Sequence, residues 1–397
     1  ENFMLTIKLE QDHALRNRIL SEALMHRKAY DTFDLLMARI VNSEKNLNKI
    51  SERQLFELDQ LLMIKGQCLV DREKFVETHE LLEENIEVYL IYIISRLLTM
   101  YCAIKNIENF QIAGTSIRTL DMLMKNIDIE GLAKTLKNNR LSAYMRVMLE
   151  IYKLYDKKTN DKIYFKAKKE FLENIDVFEQ ISKFTVFSFL YSYTITQINM
   201  RRTEFTKEVY DILKLIIRHD AYRKAGNEYM PSMLFREIVL TGLKQNDHIG
   251  TLKFITDYTD SLAPQYRETL KIYSKGKMNM HNKVYSKALR YYDECPKNIT
   301  IINLDMKIDT LVCLYELGSI DRFNSELAKN MNLLKNNKGM TLFQRKSFKL
   351  FNELLIKLIK LKLEPSALKK VKLIKEVQSK KILHYKEWIL SKLANIN

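Results

Sequence analysis

Glycine and proline are scarce in this chain, with nine and four residues among 397, against ordinary usage of roughly 7% and 5%. Hairpin turns in sheets and the phosphate-cradling loops of dinucleotide folds depend on glycine. Their shortage argues against β-rich and Rossmann-type architectures and favours helices joined by short polar turns. Neither GxGxxG nor GxxxxGK[ST] occurs, so both familiar nucleotide-binding loops are missing. Cysteine is sparse too. Cys68, Cys102, Cys295 and Cys313 lie far apart without a CxxC pair, which argues against disulfide-built and zinc-ribbon folds and fits free buried thiols in a reducing, cytoplasmic setting. Long apolar runs are limited to one. Val88 to Ile104 is 17 residues long with Arg96 near its middle, whereas a spanning helix needs about 20 residues and a central Arg costs about 2.5–3.5 kcal/mol on insertion scales. That stretch reads as the most buried helix of the protein, and no membrane span is expected.

What is present is helix-forming and basic. The hydrophobic fraction of 46% supplies a core, and the formal net charge is +16. Between Lys357 and Lys392 eleven lysines face three glutamates, so +8 of the +16 sits in the last tenth of the chain. A solvated helix face accounts for such a run; so does a contact surface for nucleic acid, an acidic protein or anionic lipid. The candidate contact residues are Lys357, Lys360, Lys369, Lys370, Lys372, Lys380 and Lys381.

Apolar spacings of three and four recur almost throughout. Phe33, Leu36, Met37 and Ile40 mark one helix, and Leu55, Leu58, Leu61 and Leu62 the next, ending near Gly66. Met145, Met148, Leu149 and Tyr152 lead to a polar turn at Asp156–Asp161, with Phe171, Ile175 and Phe178 on the partner helix. The aromatic, β-branched stretch from Phe184 to Met200 has strand-like composition, but its length and all-round apolarity predict a buried helix. Phe3, Leu5, Ile7 and Leu9 alternate with polar neighbours, as in a short strand or the tail of a helix.

Internal repetition is clearest after Pro231. In YSKGKMNMHNKVYSKALRYYDECP, Gly276 precedes Ala288 by twelve residues, Tyr292 follows four later and Pro296 closes the unit. Small residues let two antiparallel helices approach, and the aromatic fills the gap to the next hairpin. The following unit turns at Leu317-Gly318 and sets Phe323 35 residues after Ala288, near the pitch of about 34 of tetratricopeptide repeats. The preceding unit places Gly250 near the same slot and ends at Pro264. Pro365-Ser366 marks the last boundary, with Ser366 a candidate N-cap. The packing positions are therefore Gly276, Ala288, Tyr292, Gly250 and Gly318.

These hairpins resemble the tetratricopeptide-repeat superfamily. More narrowly, REIVLTGLKQNDHIGTLKFITDY, YRETLKIYSKGK, YSKALRYYDEC, NLDMKIDTLVCLYELG and YKEWILSKL are similar to the segments of a group of uncharacterised bacterial helical-repeat proteins, from about Pro231 to the end. The resemblance implies an all-α superhelical solenoid of antiparallel hairpins and a binding role, and no reaction. Lys275 stands where that pattern has an apolar residue, and Phe323 where it has a small one. The expected organisation is a divergent hairpin array over 1–230, tetratricopeptide-like repeats over 231–340 and basic capping helices over 341–397, in one continuous solenoid.

Constellations for chemistry are weak. His79 and Glu83 stand one helical turn apart, but a zincin has a second His in the place of Glu83 and a third ligand besides; a surface pair is the better reading. The other histidines are scattered singly, with no GxSxG setting. Arg201-Arg202, Arg218-His219 and Arg223-Lys224, with Tyr222 and Tyr229 among them, have the cation–aromatic interleaving of single-strand binders, though an exposed loop explains it as well. No catalytic, metal or cofactor residue is assigned. The leading expectation is a non-enzymatic scaffold or adaptor for a protein partner. Two others stand beside it: a nucleic-acid binder using the basic C-terminal surface, and the sensor part of a larger protein with an effector domain upstream.

Overall fold

The computed structural model describes residues 13–45, 49–109, 118–136, 139–156, 160–223, 229–336, 342–380 and 383–396. The alternating segment at Phe3–Leu9 and Lys381 lie outside them. Among the described residues the chain is all-helical, with only two isolated bridges, Ile50 to Phe178 and Met230 to Leu262, in place of strands. It divides into two compact units, Glu1–Glu228 and Tyr229–Asn397.

The first unit contains α1 (His13–His26), α2 (Tyr30–Lys45), α3 (Glu52–Asp71), α4 (Phe75–Asn109), α5 (Arg118–Asn126), α6 (Ile129–Thr135), α7 (Asn139–Asp156), α8 (Asp161–Glu173), α9 (Gln180–Asn199) and α10 (Phe205–Arg218). From α1 to α4 and from α6 to α10 each helix packs on the next, and α4 also touches α7 and α9. The strand-like stretch after Phe184 lies within α9, burying Val186, Phe187, Phe189, Leu190 and Tyr193. Aromatic contacts tie the layers: Tyr164 stacks on Tyr193 at 5.0 Å, and Phe171 meets Phe178 and Phe187 edge-on. Two expectations shift. The helix expected to stop near Gly66 runs on to Asp71, because Gly66 is a buried helix-interior position whose Cβ would rest 3.7 Å from Leu81. The apolar run at Val88–Ile104 is not the most buried helix: it lies within the 35-residue α4, which exposes Tyr89, Leu90 and Met100. Phe75–Ile107 is long and apolar enough to cross a membrane, by length and composition.

The second unit contains α11 (Ser232–Lys244), α12 (His248–Tyr258), α13 (Pro264–His281), α14 (Tyr285–Glu294), α15 (Thr300–Glu316), α16 (Ile320–Asn336), α17 (Leu342–Leu363), α18 (Ala367–Ser379) and α19 (Lys386–Ala394). Each packs on the next. In addition α13 touches both α11 and α15. Helix α15 is the most enclosed of the unit, burying eleven side chains from Ile302 to Tyr315.

Corners are made with little glycine. Among the described residues seven helices end with one residue in the left-handed region: Lys28, Glu73, Arg201, Asp220, Asn246, Lys283 and Gly318, at φ between 49° and 68°. At each, that residue's N–H donates three residues back and the next N–H donates five back, as Val284 does to the Asn279 carbonyl at 2.8 Å. This is the Schellman arrangement, which satisfies the last carbonyls of the helix. Only one of the seven corners uses glycine.

Two carboxylates sit inside the second unit. Asp305 and Asp309 are one turn apart on α15, both buried. Arg236 Nε and the Tyr273 hydroxyl donate to Asp305 at 2.6 and 2.7 Å. Lys277 lies 2.7 Å from Asp309, which also accepts from Tyr292 and Tyr385 at 2.8 and 2.6 Å. Two anions and two cations thus cancel, with three phenols completing the hydrogen bonds. Burial acts to raise the Asp305 carboxyl, but Lys277, Arg236 and Tyr273 together hold it below its usual range. Burial, then the neighbouring carboxylates, pushes the phenols of Tyr273, Tyr292 and Tyr385 far above theirs.

Candidate functional site

The lysine-rich end forms a groove between α17 and α18. Pro365 breaks the chain after α17, and Ser366 caps α18, its hydroxyl accepting from the Lys369 N–H at 3.5 Å. The two helices then lie side by side and enclose a cavity of about 420 Å³ lined by Lys357, Lys360, Leu361 and Glu364 from one and Lys369, Lys372, Leu373 and Glu376 from the other. Helical spacing explains the membership: residues at i, i+3, i+4 and i+7 share one face. The motif K-x-x-K-L-x-x-E therefore occurs twice, once on each wall. Leu361 and Leu373 are buried and form the floor.

Charge in the groove is partly internal. Lys357 pairs with Glu376 across it at 2.6 Å. Lys360, Lys369 and Lys372 are exposed and have no ion pair among the described residues. Four lysines against two glutamates leave the groove cationic over an apolar floor. Beside it Leu363, Leu368 and Val371 face solvent. The arrangement suits a ligand with spaced carboxylates flanking an apolar ridge.

The remaining predicted lysines do not join the groove. Lys370 donates to the Ala394 carbonyl at 3.4 Å and to the Ile396 carbonyl, anchoring the end of α19. The Lys380 carbonyl accepts from Lys386 at 2.7 Å, so that residue ends α18 and steadies the following turn.

The packing positions separate into two kinds. Gly276 lies against Tyr292: a Cβ added there would sit 2.3 Å from the ring. Ala288 and Tyr292 are buried in the same α13–α14 pair. Gly250 instead occupies the first turn of α12, where its N–H donates to the Asp247 carboxylate at 2.8 Å; it serves the helix cap, not an interhelical approach. Gly318 supplies the left-handed corner after α15, at φ 68°.

Other sequence candidates carry less. His79 and Glu83 are 4.0 Å apart and mostly exposed, and no group of three or more His, Cys, Asp or Glu is placed to hold a metal among the described residues. Arg202 is held by Asp161 at 2.5 Å and Glu204 at 2.9 Å, while Tyr222 is buried, so neither is poised for base stacking; Lys224 lies outside the described residues. All four cysteines are free and buried.

Reading by residue type missed two things. The lysines were counted as a run, whereas the duplicated K-x-x-K-L-x-x-E shows which of them face one another. Asp305 and Asp309, two acids one turn apart in a largely apolar helix, signalled buried partners. Compared with protein-family models, with curated proteins and with solved structures, the chain matches none.

Proposed function

We propose that this chain is a non-enzymatic, cytoplasmic helical-repeat scaffold of tetratricopeptide-like hairpins that binds a protein partner, taking an acidic amphipathic helix into the α17–α18 groove. The observation that carries the reading is the pairing of exposed Lys360, Lys369 and Lys372 with a buried Leu361–Leu373 floor. An acidic helix with apolar residues at i, i+3 and i+4 would match both features. The repeat reading is supported by α11, α13 and α15 touching in succession, each followed by a shorter or flanking partner helix. Four free buried thiols fit a reducing compartment.

A nucleic acid would also be drawn to the lysines. Single-strand binders, however, stack bases on aromatic rings, and this groove is lined by no ring and by two glutamates. The test is affinity capture with the full chain, with and without nuclease, alongside Lys360→Glu/Lys372→Glu. A protein retained after nuclease by the parent and lost by the variant is expected. Partners lost on digestion, or captured equally by the variant, would overturn the reading.

A further inference from the structure

One lysine is shut inside the first unit without a counter-charge. Lys183, in the first turn of α9, is only 6% exposed, and among the described residues no ion pair or side-chain hydrogen bond holds its ammonium. Glu179, one turn earlier, would be the ordinary partner, yet the two make no ion pair. Lysine is almost never buried this far unless it is paired, because a desolvated cation with no partner is costly. Three chain segments converge on it. Gln180, Lys183 and Phe187 share one face of α9 at helical spacing. The corner after α10 docks on that face: Gln180 donates to the His219 and Asp220 carbonyls, both at 2.9 Å, and the His219 ring stacks on Phe187 at 6.2 Å. Lys183 lies between these two contacts. The isolated bridge from Ile50 to Phe178 brings in the third segment. There the Ile50 N–H donates to the Val177 carbonyl at 2.6 Å and the Glu179 N–H to the Ile50 carbonyl at 3.0 Å, so Lys49 and Asp176 flank the bridge.

The charges gathered there do not balance. Lys49, Lys183 and Arg218 have no ion pair among the described residues, and Asp176 is the acid whose charge reaches both Lys183 and His219. Asp220 is engaged by Arg223 at 3.5 Å. Burial first, and then Lys49, hold the Lys183 ammonium below the usual lysine range; burial, followed by Lys183 and Arg218, lowers His219 too, and Asp176 offsets only part of either. We propose that Lys183, His219, Arg218 and Lys49 form a binding site for the phosphate group of a small molecule. Three fixed cations against one acid leave a surplus that a phosphate dianion neutralises, and its oxygens can accept from ammonium, guanidinium and imidazole donors together. A carboxylate carries half that charge. A buried amine is reached by one small group, whereas a nucleic-acid strand tracks a groove of exposed cations. Nothing in this site depends on the α17–α18 groove, which belongs to the second unit.

The experiment is calorimetric titration of the full chain with inorganic phosphate and with AMP, at constant ionic strength in chloride. Binding with a dissociation constant below about 1 mM is expected. Lys183→Met, which keeps a buried stem and removes the charge, should weaken it by at least about 10-fold, while Lys360→Glu/Lys372→Glu in the groove leaves it unchanged. Labelling with acetic anhydride, read by mass spectrometry, should show Lys183 protected by phosphate in the parent. AMP binding more tightly than phosphate would mark the group as one end of a larger ligand, and equal binding would mark free phosphate; both uphold the site. No binding of either probe below about 1 mM, equal affinity in Lys183→Met, loss in the groove variant, or Lys183 labelling indifferent to phosphate would each overturn the proposal. If Lys183→Met unfolds, Lys49→Gln/Arg218→Gln decides, since both positions are exposed and must show the same loss.

Discussion

The seven left-handed corners give a quantitative test at three sites in the second unit. Lys283 is exposed at φ 60° and Gly318 has φ 68° with nothing within 4 Å of an added Cβ. Asn246 has φ 57°. A residue with a Cβ loses about 1–2 kcal/mol in this region, asparagine less. Replacing it by glycine removes that strain but frees the unfolded chain, which takes back about 0.4–1 kcal/mol. Lys283→Gly should therefore stabilise by about 0.5–1 kcal/mol. Gly318→Ala should destabilise by about the same, through φ alone since no contact forms. Asn246→Gly should lie near zero. The assay is urea unfolding followed by circular dichroism, reading the transition that all three sites share. The decisive outcome is the order of midpoints: Lys283→Gly above the parent, Asn246→Gly level with it, Gly318→Ala below. A Lys283→Gly variant less stable than the parent, with an unchanged denaturant slope, would refute the claim that the corner is strained.

Asp309→Leu should cost about 3–5 kcal/mol in the same unfolding assay, because it strands the Lys277 charge and two tyrosine hydroxyls in the core. Adding Lys277→Met should return at least about 1 kcal/mol, and additive losses would contradict the pairing. Gly276→Ala should destabilise by about 1–3 kcal/mol through overpacking against the Tyr292 ring; a neutral change would show that the ring yields freely. In an ultraviolet pH titration Tyr273, Tyr292 and Tyr385 should stay protonated after the exposed phenols ionise. Their folded pKa values lie above the unfolded value near 10, so their stabilising contribution is whole below about pH 10 and is lost as pH rises beyond it. Ionisation of every phenol together in the folded protein would contradict their burial.

Helical class was legible in particular residues. The scarcity of glycine and proline and the three-and-four spacing of Met145, Met148 and Tyr152 lead to helices such as α7, and the length of the stretch after Phe184 outweighs its β-branched composition. Ser366 as a cap and Gly318 as a corner were readable because each position calls for a specific residue type. Corners at Lys28, Glu73 and Lys283 were not, since a charged residue in the left-handed region leaves no compositional trace. The direction in which the Val88–Ile104 run of α4 faces was hidden for a similar reason: a nearly continuous apolar run does not announce which side its own neighbours cover. Gly250 misled because glycine serves a cap as readily as a close approach.

Asp305 and Asp309 give the second unit the character of a keyed joint. Apolar layers are forgiving, and a helix can slide by a turn and still find oil against oil. Here sliding α15 by one turn would bring one carboxylate into the other's place and leave the second without its cation and phenols, so the shifted alignment carries an unpaired buried charge that the correct one does not. The unit should then resist gradual loosening and fail abruptly, holding its helices in a single alignment until the key is withdrawn.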